Sequence, residues 1–334
     1  MPGVRHLFVG VPAVIKPSSW RRLCYHSSMS TSSSRKVIFA ALVGNALISI
    51  TKFVAASITG SSAMLSEGIH SLVDTGNQVL LLHGMKQAQK PASEQFPFGH
   101  GKEIYFWAFA VAILIFAVGA GVSIYEGVLH ILNPQPMKEA MINYIVLGLS
   151  ILFEGAAWFF ALKEFTRVKG DMGYIEAVHR GKDPTMFVVL FEDSAALLGL
   201  FFALVGITLA QVTANPVYDG IASVMIGLVL GSTAIWLAIE TKGLLIGESA
   251  NRQVVEGIRR IIHAEQSIVR INEVLTMHVG PEFILANISV DFRDDIPVGE
   301  IEKTIAGLDR KIKSKFAEVK RIFIEAESQL NRRT

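Results

Sequence analysis

Three ionisable side chains stand on one helical stripe of an otherwise apolar segment. Glu67, His70 and Asp74 follow one another at positions i, i+3 and i+7. At 100° per residue they lie within about 60° of one another around a helix. Carboxylates and imidazole are ligands that zinc, manganese and ferrous iron accept in proteins. The stripe predicts a metal site; the alternative is a hydrogen-bonded network that only holds helices together.

Another apolar segment carries two adjacent acids, Glu192 and Asp193. Adjacent positions differ by 100° around a helix, so we expect one acid to face the stripe and the other a neighbouring helix or water. Two such helices side by side offer four ligands, the number that zinc prefers. We therefore predict metal ligands among His70, Asp74, Glu67, Glu192 and Asp193.

Other ionisable residues have less definite roles. Glu154 stands within a further apolar segment. It can hydrogen-bond to a metal ligand, carry a proton or pair with Lys52. His100 lies between two glycines at a helix entry; it can bind a metal, but residue chemistry favours a role at the helix start. Because Cys24 is the only cysteine, an intrachain disulfide and a thiolate metal cluster are excluded.

Four ionisable residues of the C-terminal part lie on or beside predicted strands. These are His278, Asp291, Glu325 and Glu327. A surface histidine with acids nearby is more simply explained as solvated than as a metal site.

Six apolar stretches are predicted to cross a membrane. Of the 334 residues 51% are hydrophobic and 18% charged, whereas a soluble chain carries about 25% charged residues. A membrane helix needs about 20 mostly apolar residues. The stretches that qualify are residues 37–57, 63–82, 104–125, 141–162, 184–210 and 217–239. A charge inside such a helix costs roughly 2.5–3.5 kcal/mol, so the ionisable stripe should face a polar interior.

Basic residues alternate from loop to loop between these stretches. The loops at 59–62 and 211–215 are uncharged, whereas the loops at 83–103 and 163–183 are rich in lysine and arginine. By the positive-inside rule, both termini are expected on the cytoplasmic side, or in the matrix if the membrane is mitochondrial.

The segment 248–334 is predicted to be a small α+β domain. Its pattern gives a helix at 252–265, strands at 271–279 and 283–292, a helix at 301–316 and a strand at 319–326. This αββαβ order is enough for two layers. Equal numbers of basic and acidic residues argue against a nucleic-acid surface. We thus expect a six-helix membrane domain at 37–247 and a cytoplasmic domain at 248–334.

Residues 1–36 differ from the rest because they carry basic and serine residues but no acid. Such a segment is typical of a mitochondrial presequence. The alternative is a translated leader ahead of a true start at Met29, in a bacterial protein. In either case we expect residues 1–36 to lie outside the fold.

The stretches that carry the candidate residues resemble the cation diffusion facilitator family, and the likeness extends from about residue 37 to residue 327. They are residues 60–74 (GSSAMLSEGIHSLVD), 98–103 (FGHGKE) and 191–196 (FEDSAA). The likeness is strongest toward the zinc-transporter branch that includes mitochondrial-type members. It implies a homodimeric proton/metal antiporter with six spans and a ferredoxin-like cytoplasmic domain. The expected substrate is Zn²⁺, with Mn²⁺, Fe²⁺ or Co²⁺ as alternatives, and no enzyme activity or further cofactor is expected.

The resemblance also implies which residues of this sequence bind the metal. In the family, the transport site lies between spans two and five and uses a pair of ligands, four residues apart, on each. His70 and Asp74 match the pair in span two, and Asp193 matches the acid in span five. Val189 stands where its partner is usual and cannot bind a metal.

The coordination shell of the metal is then expected to be completed by Glu192, by Glu67 or by water. His100 matches a loop position that binds metal in some members, and we include it among the predicted metal residues. Glu325 lies near one tail position that is histidine in zinc-regulated relatives, so the resemblance does not decide whether the tail binds metal.

Two other functions were weighed. A membrane metallo-hydrolase would need a His-Glu-x-x-His or Gly-x-Ser-x-Gly pattern, and the sequence has neither. A non-transporting scaffold, or a metal sensor acting through its C-terminal domain, would gain little from buried ionisable residues. Proton-coupled export of a divalent cation is therefore the favoured interpretation.

Overall fold

The computed structural model describes residues 31–169, 173–174 and 184–328, so the predictions about residues 1–30 lie outside the described part. The chain divides into two units, Met1–Val43 and Gly44–Thr334. The described part of the first unit is the beginning of the first helix.

Each predicted apolar stretch lies within a helical segment. The helices are α1 (Thr31–Thr59), α2 (Ser62–Ala88), α3 (Glu103–Leu114), α4 (Gly121–Leu132), α5 (Ala140–Lys169), α6 (Pro184–Thr213) and α7 (Val217–Ile246). A π-helical turn, Ile115–Ala120, joins α3 to α4, so the third stretch is one continuous helical segment.

Four segments of the described chain are long and apolar enough to cross a membrane. They are Glu103–Leu132, Ala140–Arg167, Phe187–Thr213 and Val217–Ile246. They leave large apolar side chains exposed, among them Phe106, Leu132 and Met141. An apolar outer surface of this kind faces lipid in membrane bundles. The chain is therefore a helical membrane protein. Helix α2 is not among the four; its ionisable stripe makes it less apolar.

Helix α2 packs against α3, α4, α6 and α7. Helices α4 and α7 approach so closely that a Cβ added at Gly127 would lie 2.8 Å from the carbonyl oxygen of Gly220. Small residues permit such close approach in membranes. Ser223 of α7 donates to the carbonyl oxygen of Ser123 at 2.8 Å, and its hydroxyl lies 2.6 Å from that of Ser66. These hydroxyls connect α2 to the α4–α7 pair.

The C-terminal segment has the predicted αββαβ order. It consists of α8 (Arg252–His263), β1 (Ile268–Gly280), β2 (Phe283–Phe292), α9 (Val298–Lys315) and β3 (Val319–Ala326). The sheet order is β1-β2-β3, with β1 and β2 antiparallel and β2 and β3 parallel. The bounds predicted for β2 and β3 are confirmed, and the sheet is a small mixed one.

The alternation along β2 produces the core of this segment. Ile284, Ala286 and Ile288 are buried and pack in one cluster with Ile258 of α8 and Ile312 of α9. Because alternate residues of a strand share one face, both helices cover the same face of the sheet. The prediction of two layers is confirmed.

Candidate metal site

The stripe on α2 holds a buried imidazole and a carboxylate at ligand spacing. His70 is 1% exposed, and its Nδ1 lies 3.4 Å from Oδ1 of Asp74. Two atoms that each lie about 2.1 Å from a tetrahedral zinc ion are about 3.4 Å apart. Among the described residues, neither ring nitrogen of His70 nor this Asp74 oxygen has a hydrogen-bond partner. Buried polar groups are normally hydrogen-bonded, so this set needs a partner from outside the chain.

Helix α6 brings Glu192 to the same stripe. Its Oε1 accepts a hydrogen bond from the side-chain amide of Asn77 at 2.5 Å, and its carboxyl group contacts that of Asp74. Two carboxyl groups in contact need a shared proton or a cation near them, because like charges repel. The structure thus brings α2 and α6 together through acids, as the sequence predicted.

The second acid of α6 is placed differently. Asp193 is half-buried and interacts electrostatically with Asp74. Val189, one turn before it, packs against the apolar core of the bundle. Glu192 is hydrogen-bonded to Asn77 of α2 and contacts Asp74 of the same helix.

A complete metal shell is not assembled in this conformation. Within the described parts of the chain, no three histidine, cysteine or acidic side chains converge on one point. What the structure shows is a chain of contacts from His70 to Asp74 and on to Glu192. An arriving cation would have to draw one further ligand toward the His70–Asp74 pair.

Glu67 and Glu154 belong to a separate buried cluster around Lys52. The Lys52 ammonium donates to Oε2 of Glu67 at 3.0 Å, to Oε1 of Glu154 at 2.8 Å and to Oγ of Ser71 at 2.8 Å. Among the three roles considered for Glu154, the structure shows pairing with Lys52. Glu67 shares this partner, although it stands on the same stripe as His70.

Two residues of the site region escaped the sequence analysis. Asn77, which holds Glu192, lies three positions after Asp74 and so continues the polar stripe of α2. Asp219 of α7 accepts hydrogen bonds from Oγ of Ser61 at 2.6 Å and from the backbone N–H of Ser62 at 2.5 Å. It thereby caps the beginning of α2. Ser61 and Ser62 precede the stripe and are typical of a helix start. Nothing in their sequence pattern indicates that Asp219 of α7 is their hydrogen-bond partner.

These features agree with a comparison with known proteins. The sequence profile of the cation efflux transmembrane domain matches residues 38–246. The chain belongs to the cation efflux, or cation diffusion facilitator, family.

Several curated proteins are similar to this cation efflux chain. The human protein named proton-coupled zinc antiporter SLC30A9, mitochondrial, is 34% identical over 260 residues, which are 77% of this chain and 46% of the relative. Metal tolerance protein C4 of Arabidopsis thaliana is 28% identical over 267 residues, 79% of this chain and 58% of the relative. Manganese efflux system protein MneP of Bacillus subtilis is 22% identical over 301 residues, 87% and 95% of the two chains. The cation efflux chain spans about half the length of the SLC30A9 relatives that it matches.

His100 lies in the loop before α3 of this cation efflux chain. Its carbonyl oxygen accepts the backbone N–H of Glu103 at 2.9 Å, and its ring lies 4.4 Å from that of Phe96. The loop follows the end of α2, and Asp74 stands about 20 Å before that end by helical rise. The structure therefore places His100 apart from the His70–Asp74 pair, at the start of a helix.

The ionisable residues of the tail do not converge either. His278 is buried, with its Nδ1 3.3 Å from the carbonyl oxygen of Gly280. Glu327 accepts a hydrogen bond from Oγ of Ser289 at 2.9 Å, and Glu325 is exposed. Within the described tail these contacts are structural, and no metal-binding group forms.

Proposed function

We propose that this chain is a proton-coupled antiporter that exports divalent metal cations, with Zn²⁺ as its main substrate. One observation carries the proposal. His70 and Asp74 are buried at the spacing of two zinc ligands, with their facing atoms unpaired among the described residues. The neighbouring acids of α6, Glu192 and Asp193, add negative charge, and no ion pair of theirs with a lysine or arginine is found in the described parts of the chain. An arriving dication would bind the unpaired atoms of His70 and Asp74 and would also offset the negative charge of the acids.

We propose His70, Asp74 and Asp193 as ligands, with Glu192 as the fourth or as the group that orients Asp74. The family resemblance supports Asp193, and the contact between Glu192 and Asp74 supports a direct role for Glu192. Since Val189 cannot ligate, the span-five contribution depends on these two adjacent acids. The candidate ligands Glu67 and His100 are left outside this proposed set.

Proton coupling follows from shared ligands. Imidazole and carboxylate groups must be deprotonated to bind a metal, so metal and protons compete for them. The direct contact between Asp74 and Glu192 is stabilised either by a shared proton or by a cation. If protons replace the metal ion at these ligands on one side of the membrane, and the metal ion replaces protons on the other, metal export is coupled to proton import.

The proposed architecture has six spans, in which α1 and α2 join the four apolar segments. The proposed domains are 37–247 in the membrane and 248–334, a ferredoxin-like fold, on the cytoplasmic or matrix side. Residues 1–36 are proposed as a leader or N-terminal tail, of which the last few residues, from Thr31, already belong to α1. The distribution of lysine and arginine in the loops supports both termini on that side. We also propose a homodimer, on the family resemblance. The membrane would be the mitochondrial inner membrane or the bacterial inner membrane. The mitochondrial assignment is based on the names of the SLC30A9 relatives.

The deciding experiment reconstitutes the purified protein in liposomes and measures proton flux after addition of Zn²⁺. Asp74→Ala and Asp193→Ala should each abolish the metal-driven flux while the protein still inserts. Asp294→Ala, an exposed acid of the C-terminal segment, is the matched control and should retain it. Full flux in both site variants would refute this site.

The same liposomes separate the alternatives and the substrate. A scaffold or a sensor would give no metal-driven flux in the unmodified protein. A panel of Zn²⁺, Mn²⁺, Fe²⁺ and Co²⁺ would rank the substrates. Glu192→Ala, measured alongside Asp193→Ala, would show which adjacent acid binds the ion.

A further inference from the structure

We propose that Lys52 fills, as a tethered cation, a second cation site formed by Glu67 and Glu154, and thereby limits the membrane region to a single exchangeable ion. This inference takes the His70–Asp74 pair as the transport site and in that respect rests on the proposed function. It concerns a different set of side chains, contributed by α1, α2 and α5.

The contacts of Lys52 resemble the surroundings of a bound ion. Three oxygens from two helices lie 2.8–3.0 Å from its Nζ: those of Glu67 and Ser71 on α2 and that of Glu154 on α5. The side chains of Lys52 and Glu67 are 0% exposed, and that of Glu154 is 16% exposed. The ammonium is thus held where water does not reach it, at the junction of three helices.

The cluster has more ligand capacity than one ammonium uses. Each carboxylate gives one oxygen to Lys52, while Oε1 of Glu67 and Oε2 of Glu154 are buried without a hydrogen-bond partner among the described residues. Four carboxylate oxygens and a hydroxyl are a ligand set that a divalent cation accepts. The ammonium brings one positive charge to two acids, whereas a divalent ion would bring two.

The position of Glu67 explains what the tethered cation achieves. Glu67 precedes His70 by three positions, so it lies about one helical turn from the transport site on the same stripe. Without Lys52, Glu67 and Glu154 would present a cation-binding pair beside the ion path. A lysine side chain offsets one of the two negative charges of that pair and, unlike a free ion, cannot dissociate. It keeps Glu67 away from the transported ion.

The test counts the metal ions that the purified protein holds in detergent at pH 8, with Zn²⁺ and Mn²⁺ as probes. Lys52→Gln should hold one more ion for each chain than the unmodified protein. Lys52→Arg, which keeps the positive charge, should not. The matched control Lys52→Gln/Glu67→Gln/Glu154→Gln lacks both carboxylates and should lose the additional ion. An unchanged count in folded Lys52→Gln, or an additional ion that persists in the triple variant, would overturn the proposal.

A second measurement covers the case in which Lys52→Gln unfolds in metal-free buffer. Millimolar Zn²⁺ or Mn²⁺ should then restore its cooperative thermal transition, because the ion replaces the ammonium, and should not shift the triple variant in the same way. Failure of both ions to restore the fold would also overturn the proposal. These binding counts need no transport, so a negative result in the liposome assay with a positive count here would reject only the proposed function.

Discussion

Two buried ionic clusters lie side by side on α2, and they balance their charge in different ways. In the first, Lys52 supplies a cation to Glu67 and Glu154. In the second, Asp74 contacts Glu192, and among the described residues neither acid forms an ion pair with a lysine or arginine. An unpaired charge in a low-dielectric interior is strongly unfavourable. The first cluster therefore holds its cation permanently, while the second requires one from solution.

A third buried acid shows a further way to balance charge. Asp219 is 0% exposed and accepts hydrogen bonds from two serine side chains and from backbone N–H groups at the start of α2. The first N–H groups of a helix lack partners within the helix and carry partial positive charge, so they stabilise an anion. Of these three clusters, as far as the structure describes the chain, only the acids near His70 have neither a lysine partner nor a helix start.

The largest effect is expected for Lys52→Gln without metal. Removal of one partner from a buried ion pair typically destabilises a protein by about 3–5 kcal/mol, because the other charge remains buried. We expect a loss of this size, measured as the free energy of unfolding in detergent with a chelator present. The control is Lys86→Gln. Lys86 is an exposed lysine near the end of α2, and its replacement should change the free energy of unfolding little. A loss below about 1 kcal/mol would show that Lys52 contributes no such pairing.

Asp219→Asn should have the next largest effect. The asparagine side chain replaces one accepting oxygen with an N–H₂ group, which then meets either the donor of Ser61 or the two donors of Ser62. Two bonds to a charged acceptor are weakened, and we expect a loss of about 2–3 kcal/mol in the free energy of unfolding. Asp309→Asn on α9, whose carboxylate pairs with Lys313 at a partly exposed position, should lose much less. Equal losses in the two variants would contradict the capping role.

Sequence reasoning was sufficient where local periodicity decides structure. Alternation along residues 283–292 fixed which side chains of β2 are buried, because a strand has two faces. The apolar stretches located the helices for the same kind of reason. The partners of Asp219, and the sharing of Lys52 by Glu67 and Glu154, could not be predicted, since these contacts join helices whose rotation and packing the sequence pattern does not determine. For Glu154, sequence left three roles open, and only the position of α5 beside α1 selected one.

Gly199→Ala should have a smaller effect, and it tests how firmly the Lys52 cluster is held. A Cβ at this position on α6 would collide with Oε1 of Glu67. Because the other oxygen of Glu67 is bound by Lys52, the carboxylate has little freedom to move aside. Overpacking of this kind typically costs about 1–3 kcal/mol. Gly148→Ala on α5, where a Cβ meets nothing within 4 Å, should be neutral or stabilising, and thermal unfolding of the two variants would measure the difference.

The smallest change in stability, and the one of opposite sign, is expected for Glu192→Gln. The amide oxygen can still accept the hydrogen bond from Asn77, while the amide N–H₂ group can donate to Asp74, so the contact no longer needs a shared proton. Without metal, the free energy of unfolding should stay within about 1 kcal/mol of the unmodified protein, on the stabilising side. Added Zn²⁺ stabilises a protein by an amount that grows with the logarithm of its affinity for the folded state, so the increase in Tm on adding Zn²⁺ should become smaller in this variant. Glu302→Gln, an exposed position on α9, should leave that increase unchanged. Marked destabilisation of metal-free Glu192→Gln would mean that Glu192 has a cationic partner in the resting protein, and the contrast between the two clusters would then fail.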